Sequence, residues 1–134
     1  MSATLVDSNV LLDIATEDAR WSAWSAGALT EAAQTDIIVI NPIVFAEVSI
    51  RYERIEEIEE VLSASRFRRD PLPYDAAFLA GKAFRKYRGA GGTRATPMAD
   101  FYIGAHAAVA GYRLLTRDAT RYRTYFPTVD LLAP

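Results

Sequence analysis

The chain reads as an α/β protein, a three-layer fold with a central, mainly parallel β-sheet flanked by helices. Three observations predict it. Short apolar runs alternate with segments of helical periodicity along the whole chain, and strands joined through helices form parallel sheets covered on both faces. The run Ile37–Ile40 is wholly β-branched, a composition that favours a buried strand. Asn41-Pro42 and Thr96-Pro97 place a capping residue directly before a proline, the signature of a helix start.

The elements follow in order. Residues 3–7 (Ala-Thr-Leu-Val-Asp) form a short buried strand, and Ser8 can cap a helix over Asn9–Ala15. Trp21–Ala33 is a second helix, with Trp21, Trp24, Ala28 and Leu29 near helical spacing. Ile37–Ile40 is the second strand. Asn41-Pro42 opens a helix carrying Val44, Phe45, Glu47, Val48 and Ile50, and the helical pattern continues over Arg51–Ser65, directly or after a break. There Ile55, Ile58, Val61 and Leu62 form an apolar stripe with Glu56, Glu57, Glu59 and Glu60 mostly off it. The connection Phe67–Pro73 has room for a short third strand, against which its prolines argue. Asp75–Tyr87 is amphipathic helix, residues 89–95 a glycine-rich loop, and Thr96-Pro97 opens a helix that Gly111 closes near Ala110. Tyr112–Thr116 is a strand, Ala119–Tyr125 a short helical segment, and Val129–Leu132 the last strand.

A chain of 134 residues is the size of one ordinary domain, 1–134, with a real core. It has no cysteine, which excludes disulfide frameworks, thiolate metal sites and cysteine nucleophiles. No secretory leader and no apolar run of about 20 residues is present, so the expectation is a cytoplasmic protein with no membrane span. The net charge of −2 conceals an asymmetry. Residues 1–65 carry Arg20, Arg51 and Arg54 against twelve acids, while residues 66–123 carry ten Arg and two Lys against four. An arginine-rich half suits phosphate; the two halves can equally neutralise each other across the fold.

Four acids carry the chemistry. Asp7 follows the first strand, where Ser8 and Asn9 can hydrogen-bond and orient it, although the three also suit an ordinary capping cluster. Glu47 lies in an apolar helical stretch, either towards the core or on a solvent stripe. Asp100 falls in the first turn of its helix, where the dipole favours the ionised form. Asp118 follows Thr116, whose hydroxyl can bond a nearby carboxylate, or it caps the next helix. In open α/β sheets ligands bind at the carboxyl ends of the strands, so the four can meet there. Clustered carboxylates repel one another, and a hard divalent ion, Mg²⁺ or Mn²⁺, relieves that repulsion.

The stretches Asp7-Ser-Asn-Val-Leu11, Ala46-Glu47-Val48, Asp100-Phe-Tyr-Ile-Gly-Ala-His-Ala107 and Leu115-Thr-Arg-Asp118, in this order and spacing, resemble the PIN-domain family. Within it the chain looks most like the VapC-type toxins of toxin–antitoxin pairs, from about Thr4 to Phe126. The resemblance implies an endoribonuclease dependent on Mg²⁺ or Mn²⁺, with Asp7, Glu47, Asp100 and Asp118 as catalytic metal-binding acids and Ser8, Asn9 and Thr116 as polar helpers. It also implies an antitoxin partner in a groove near the early helices, a homodimer and an RNA substrate. Arg85, Arg88, Arg94, Arg117 and Arg121 are the candidates for RNA contact. Two departures stand out: the aromatic after the fourth acid is Tyr122 or Phe126, and Gly104 replaces the usual alanine. The lone histidine, His106, lies mid-helix off the Asp100 face, a structural or exposed position.

Other readings compete. Gly89–Gly92 lacks the Lys-Ser/Thr of a phosphate-binding P-loop. A receiver-like phospho-acceptor domain would carry a lysine after a late strand, whereas Lys82 and Lys86 fall mid-chain. A non-catalytic interaction module on the same fold is the third alternative.

Overall fold

The computed structural model describes residues 2–92 and 98–134. Its strands are β1 (Ala3–Val6), β2 (Ile37–Ile40), β3 (Arg68–Arg69), β4 (Arg113–Leu115) and β5 (Leu131–Leu132). Its helices are α1 (Ser8–Ala15), α2 (Ser22–Thr35), α3 (Pro42–Ser49), α4 (Ile55–Val61), α5 (Tyr74–Gly89), α6 (Met98–Ala110) and α7 (Thr120–Tyr125). The strands form one sheet in the order β3-β2-β1-β4-β5, every pair parallel. This is the α/β architecture that the strand–helix alternation predicts.

Consecutive residues are buried along the three central strands: Thr4, Leu5 and Val6 on β1, Ile38, Val39 and Ile40 on β2, Leu114 and Leu115 on β4. Neighbouring side chains on a strand point to opposite faces, so helices cover the sheet on both sides. Leu5, Val39 and Leu114 therefore share one continuous core with Val10, Val44, Ala80 and Phe101 from the helices.

The topology places the site. β1 is central; the chain builds outward on one side through β2 and β3, then returns to the other side as β4 and β5. Connections leaving β1 and β4 diverge at their carboxyl ends, which opens a crevice there. Val6 pairs with Leu115, and Asp7 donates its backbone N–H to the Leu115 carbonyl at 2.9 Å. Asp7 and Thr116 are thus the first residues past two adjacent strands.

Several local expectations hold for the stated reasons. Asn41 caps α3 by accepting from the Val44 N–H at 2.9 Å, with Pro42 at the first helical position. Gly111 ends α6 at φ +71°, a conformation that favours glycine. Others need correction. Ser8 does not cap α1: Asp7 is the capping residue and makes no side-chain cap bond, because the Ser8 hydroxyl is engaged with Glu47 instead. The helical pattern of residues 51–65 follows a break, as one reading allowed, but is shorter than expected: α3 ends at Ser49 and α4 is confined to Ile55–Val61. The third strand does form, as the two-residue edge strand β3, and Pro71 and Pro73 fall just beyond it. The apolar stripe of α4 is split, with Ile58 and Leu62 buried but Ile55 63 % exposed. The cap-and-proline signal at Thr96-Pro97, the loop residues 93–95 and with them Arg94 lie outside the described residues.

Candidate active site

Asp7 is the centre of the site. It is 3 % exposed, and one of its oxygens is held twice: Oδ2 accepts from the Tyr122 hydroxyl at 2.8 Å and from the Thr116 hydroxyl at 2.9 Å. Oδ1 has only a 3.5 Å contact from Ser8. Burial, reinforced by the charge of Asp100 and more weakly of Glu47, pushes the Asp7 carboxyl up to about 6 despite the two hydroxyl donors. Tyr122 is itself buried, and desolvation with the negative field of Asp7 and Asp100 raises its pKa well above the ordinary value. It is therefore a phenol, a permanent donor to Asp7.

Asn9 supports this arrangement from α1. Its Nδ2 donates to Thr116 Oγ1 at 3.2 Å, and its Oδ1 accepts from the Arg117 backbone N–H at 3.3 Å. Thr116 therefore bonds Asp7 directly, and Asn9 reaches Asp7 only through Thr116. Ser8 touches Asp7 only at 3.5 Å and has a shorter bond elsewhere. Its hydroxyl donates to Glu47 Oε1 at 2.6 Å, so it ties α1 to α3.

Asp7, Asp100 and Asp118 line one cleft of about 460 Å³, together with Asn9, Tyr87 and Arg121. Asp100 sits in the first turn of α6. Its carboxyl is pushed up, chiefly by burial, with Asp118 adding in the same direction and Arg121 opposing. The dipole argument, which favours the ionised form, is outweighed by desolvation. Asp118 is the exposed acid of the group; it accepts from the Thr120 N–H at 3.3 Å. Glu47 does not line this cleft. It borders a separate hollow with Leu12, Thr16 and Ile50, though burial and the charge of Asp100 raise its pKa too. The four acids are electrostatically coupled, and three share a wall.

Among the described residues, no three acidic or histidine side chains come close enough to hold one ion. At Asp100, Arg121 donates to Oδ2 at 2.6 Å. The donor chemistry nonetheless fits a hard divalent cation. All candidates are carboxylate oxygens, mutual repulsion and burial raise three of them, and Asp7 keeps one freer oxygen.

The remaining candidates separate by their partners. Arg117 Nε is bound to Asp13 Oδ2 at 2.8 Å, an oxygen that also accepts from Ser25, so Arg117 joins α1 and α2 to the loop after β4. Arg85 and Arg88 are exposed on α5. His106 is buried and lies 2.9 Å from Asn41 Nδ2 through Nδ1. Since Asn41 Oδ1 already accepts from Val44, its amide donates to the ring, and His106 is structural. Tyr122, which donates to Asp7, stands out in the sequence only as an aromatic. Its hydroxyl, four residues past Asp118 on a helix beside the cleft, was the available signal.

A model of the PIN domain matches residues 4–127, and the chain belongs to the PIN domain family. Solved structures share the fold. A chain of VapBC2 from Rickettsia felis, bound to a DNA fragment from their promoter, superposes with TM-score 0.74 at 18 % identity over 98 % of each chain. VapBC-1 from nontypeable Haemophilus influenzae gives 0.73 at 14 %, over 98 % of this chain and 97 % of that one. A toxin–antitoxin complex from Klebsiella pneumoniae gives 0.69 at 20 %, over 94 % of each. No curated protein sequence matches the chain.

Proposed function

We propose that this protein is an Mg²⁺- or Mn²⁺-dependent endoribonuclease and the toxin of a toxin–antitoxin pair, acting in the cytoplasm. One observation carries the reading. The Asp7 carboxyl, buried at the end of the central strand, is driven up to about 6 in a cleft shared with Asp100 and Asp118. A site that raises proton affinity in this way favours a bound cation. Asp7, Asp100 and Asp118 would hold the ion, with Glu47 as the fourth acid. When bound, it lowers the pKa of a water and offsets charge on the phosphodiester.

The chain's own residues do the rest. Tyr122 and Thr116 hold Asp7 Oδ2, and Asn9 holds Thr116. No histidine base is required, in keeping with the structural place of His106. Water attack needs no 2′-hydroxyl, so the products are 5′-phosphates. Among the described candidates, Arg85 and Arg88 are exposed and would face RNA; Arg121 is paired with Asp100 and Arg117 with Asp13.

The solved toxin–antitoxin complexes of the same fold support an antitoxin partner; a homodimer is part of the same proposal. The groove lined by Pro42, Phe45, Ile55 and Pro71 is where the antitoxin docks in this reading. Among the described residues no helix is long and apolar enough to cross a membrane.

The Arg121–Asp100 pair, together with the absence of a three-acid cluster among the described residues, favours a second reading, a non-catalytic PIN-fold interaction module. One experiment separates them. Purified protein is incubated with total RNA in Mg²⁺ or Mn²⁺. The nuclease reading expects cleavage that EDTA and Asp7→Asn each abolish, with 5′-phosphate ends. Intact RNA at every metal concentration supports the interaction module.

A further inference from the structure

Arg121 is the cation that this cleft supplies for itself. From α7 its guanidinium donates to Asp100 Oδ2 at 2.6 Å. The same guanidinium lies 5.5 Å from the ring centroid of Tyr87 and 5.9 Å from that of Phe101. Both partners of the ion pair are about three-quarters shielded, at 29 % and 26 % side-chain exposure. Partial desolvation strengthens such a pair relative to an exposed one. Among the described residues, Arg121 is the basic side chain that lines the cleft with Asp7, Asp100 and Asp118.

A guanidinium N–H and a divalent ion compete for the same carboxylate oxygen. The two aromatic rings give Arg121 a second attachment that does not depend on Asp100, since a cation over a ring face is held by the ring's own charge distribution. Loss of the carboxylate bond therefore leaves the guanidinium tethered at the cleft and free to make forked bonds to phosphate oxygens.

We propose that Arg121 is an exchangeable counter-ion. It neutralises Asp100 while the cleft holds no metal, leaves that carboxylate when a divalent cation takes it, and then binds a phosphodiester oxyanion of the substrate. This rests on the nuclease reading and adds to it a coupling between metal loading and phosphate binding through one side chain. Substrate phosphate, by drawing Arg121 off Asp100, tightens metal binding, and metal in turn tightens phosphate binding, as linkage requires.

Calorimetric titration of the full chain with Mn²⁺ tests it. Arg121→Gln should bind Mn²⁺ about tenfold more tightly than wild type. Arg123→Gln, which removes an equal charge from an exposed position on the same helix, should stay within about twofold. In saturating Mn²⁺, a phosphorothioate oligoribonucleotide that resists cleavage should bind Arg121→Gln about tenfold more weakly. Should Arg121→Gln fail to fold, the Arg121 side-chain nitrogen resonances of the wild-type protein, titrated with Mg²⁺, should shift as the ion pair opens. Equal Mn²⁺ affinity in wild type and Arg121→Gln, or resonances unmoved by Mg²⁺ at saturation, overturns the exchange and leaves the nuclease reading standing. Absence of Mn²⁺ binding in every variant overturns both.

Discussion

Tyr122 donates its hydroxyl to Oδ2 of Asp7 at 2.8 Å, across 115 residues of sequence and from the helix that also carries Arg121. The bond joins the last helix to the central strand and leaves one Asp7 oxygen free of a short donor. Removing the hydroxyl alone, in Tyr122→Phe, retains the buried ring and leaves Thr116 as the one short donor to Asp7. The expected result is a folded protein whose Mn²⁺ affinity falls about tenfold, the lower end of what losing an orienting partner does at metal sites. Titration of Mn²⁺ into wild type and Tyr122→Phe decides it. Unchanged affinity would mean that Thr116 suffices to orient Asp7.

The raised pKa of Asp7 gives stability an unusual slope. A carboxyl whose folded pKa, about 6, exceeds its unfolded value takes up protons on folding. Its contribution favours the folded state at low pH and is lost as pH rises from about 4 through about 6. Glu47 and Asp100 are raised as well and act in the same direction. His106, whose pKa burial lowers, acts in the opposite direction over the same window, so the contribution of the acids, on the order of 1–3 kcal/mol, is read as the difference in slope between wild type and Asp7→Asn. Asp7→Asn, which has no charge to bury, should flatten the slope and melt above wild type at pH 7.5 in EDTA while being inactive on RNA. Denaturant melts at pH 4.5 and 7.5 measure this. A wild type whose slope over the window equals that of Asp7→Asn contradicts the coupling of these acids.

Much of the fold was legible because its signals are local. Asn41-Pro42 and Gly111 act through their own backbone, and Ile37–Ile40 has no alternative to burial. Asp7, Asp100 and Asp118, which line one cleft, were legible because each sits just past a strand or near the start of a helix; Glu47, inside α3, borders a different hollow. What escaped was decided by tertiary partners. Ser8 looks like a cap from its neighbours in sequence, but Glu47, 39 residues away, takes its hydroxyl. Arg117 and Arg121 look alike in sequence, yet one is anchored to Asp13 and the other reaches into the cleft. The split of the α4 stripe into buried Ile58 and exposed Ile55 depends on where α3 ends, which no residue near Ile50 signals.

That difference between arginines is measurable. Asp13 is almost fully buried and bound by Arg117 and Ser25. Arg117→Ala leaves a buried carboxylate with one donor, a change that should destabilise the fold by about 2 kcal/mol, less than a fully buried broken pair because Arg117 is partly exposed. RNA affinity of the folded, inactive Asp7→Asn background should hardly change. Arg85→Gln with Arg88→Gln should do the reverse: stability kept, RNA binding weaker, and the salt slope of log affinity reduced by roughly 0.7 per arginine. Filter binding at several salt concentrations, alongside urea melts, separates the two classes. An Arg85/Arg88 double variant with wild-type affinity and slope would move the RNA footprint away from α5.

Gly104 is required by a neighbour rather than by its own backbone. It lies on α6 one turn after Asp100, and a Cβ there would overlap the ring of Phe126. Phe126 is buried and packs edge-on to Phe101, 6.3 Å between centroids, and Phe101 in turn lies under the Arg121 guanidinium. Alanine at 104 improves helix propensity by about 1 kcal/mol but must displace an aromatic ring in a filled core, which typically costs about 1–3 kcal/mol. Gly104→Ala should thus be destabilised by about 1 kcal/mol net, an outcome that propensity alone would reverse. Replacing Phe126 by leucine in the same chain opens the space the methyl needs. The double variant should be more stable than the sum of the two single changes predicts, because residues that share one contact do not act independently. Strict additivity in a denaturant-melt cycle of the two substitutions would show that α6 shifts to accept the methyl without involving Phe126.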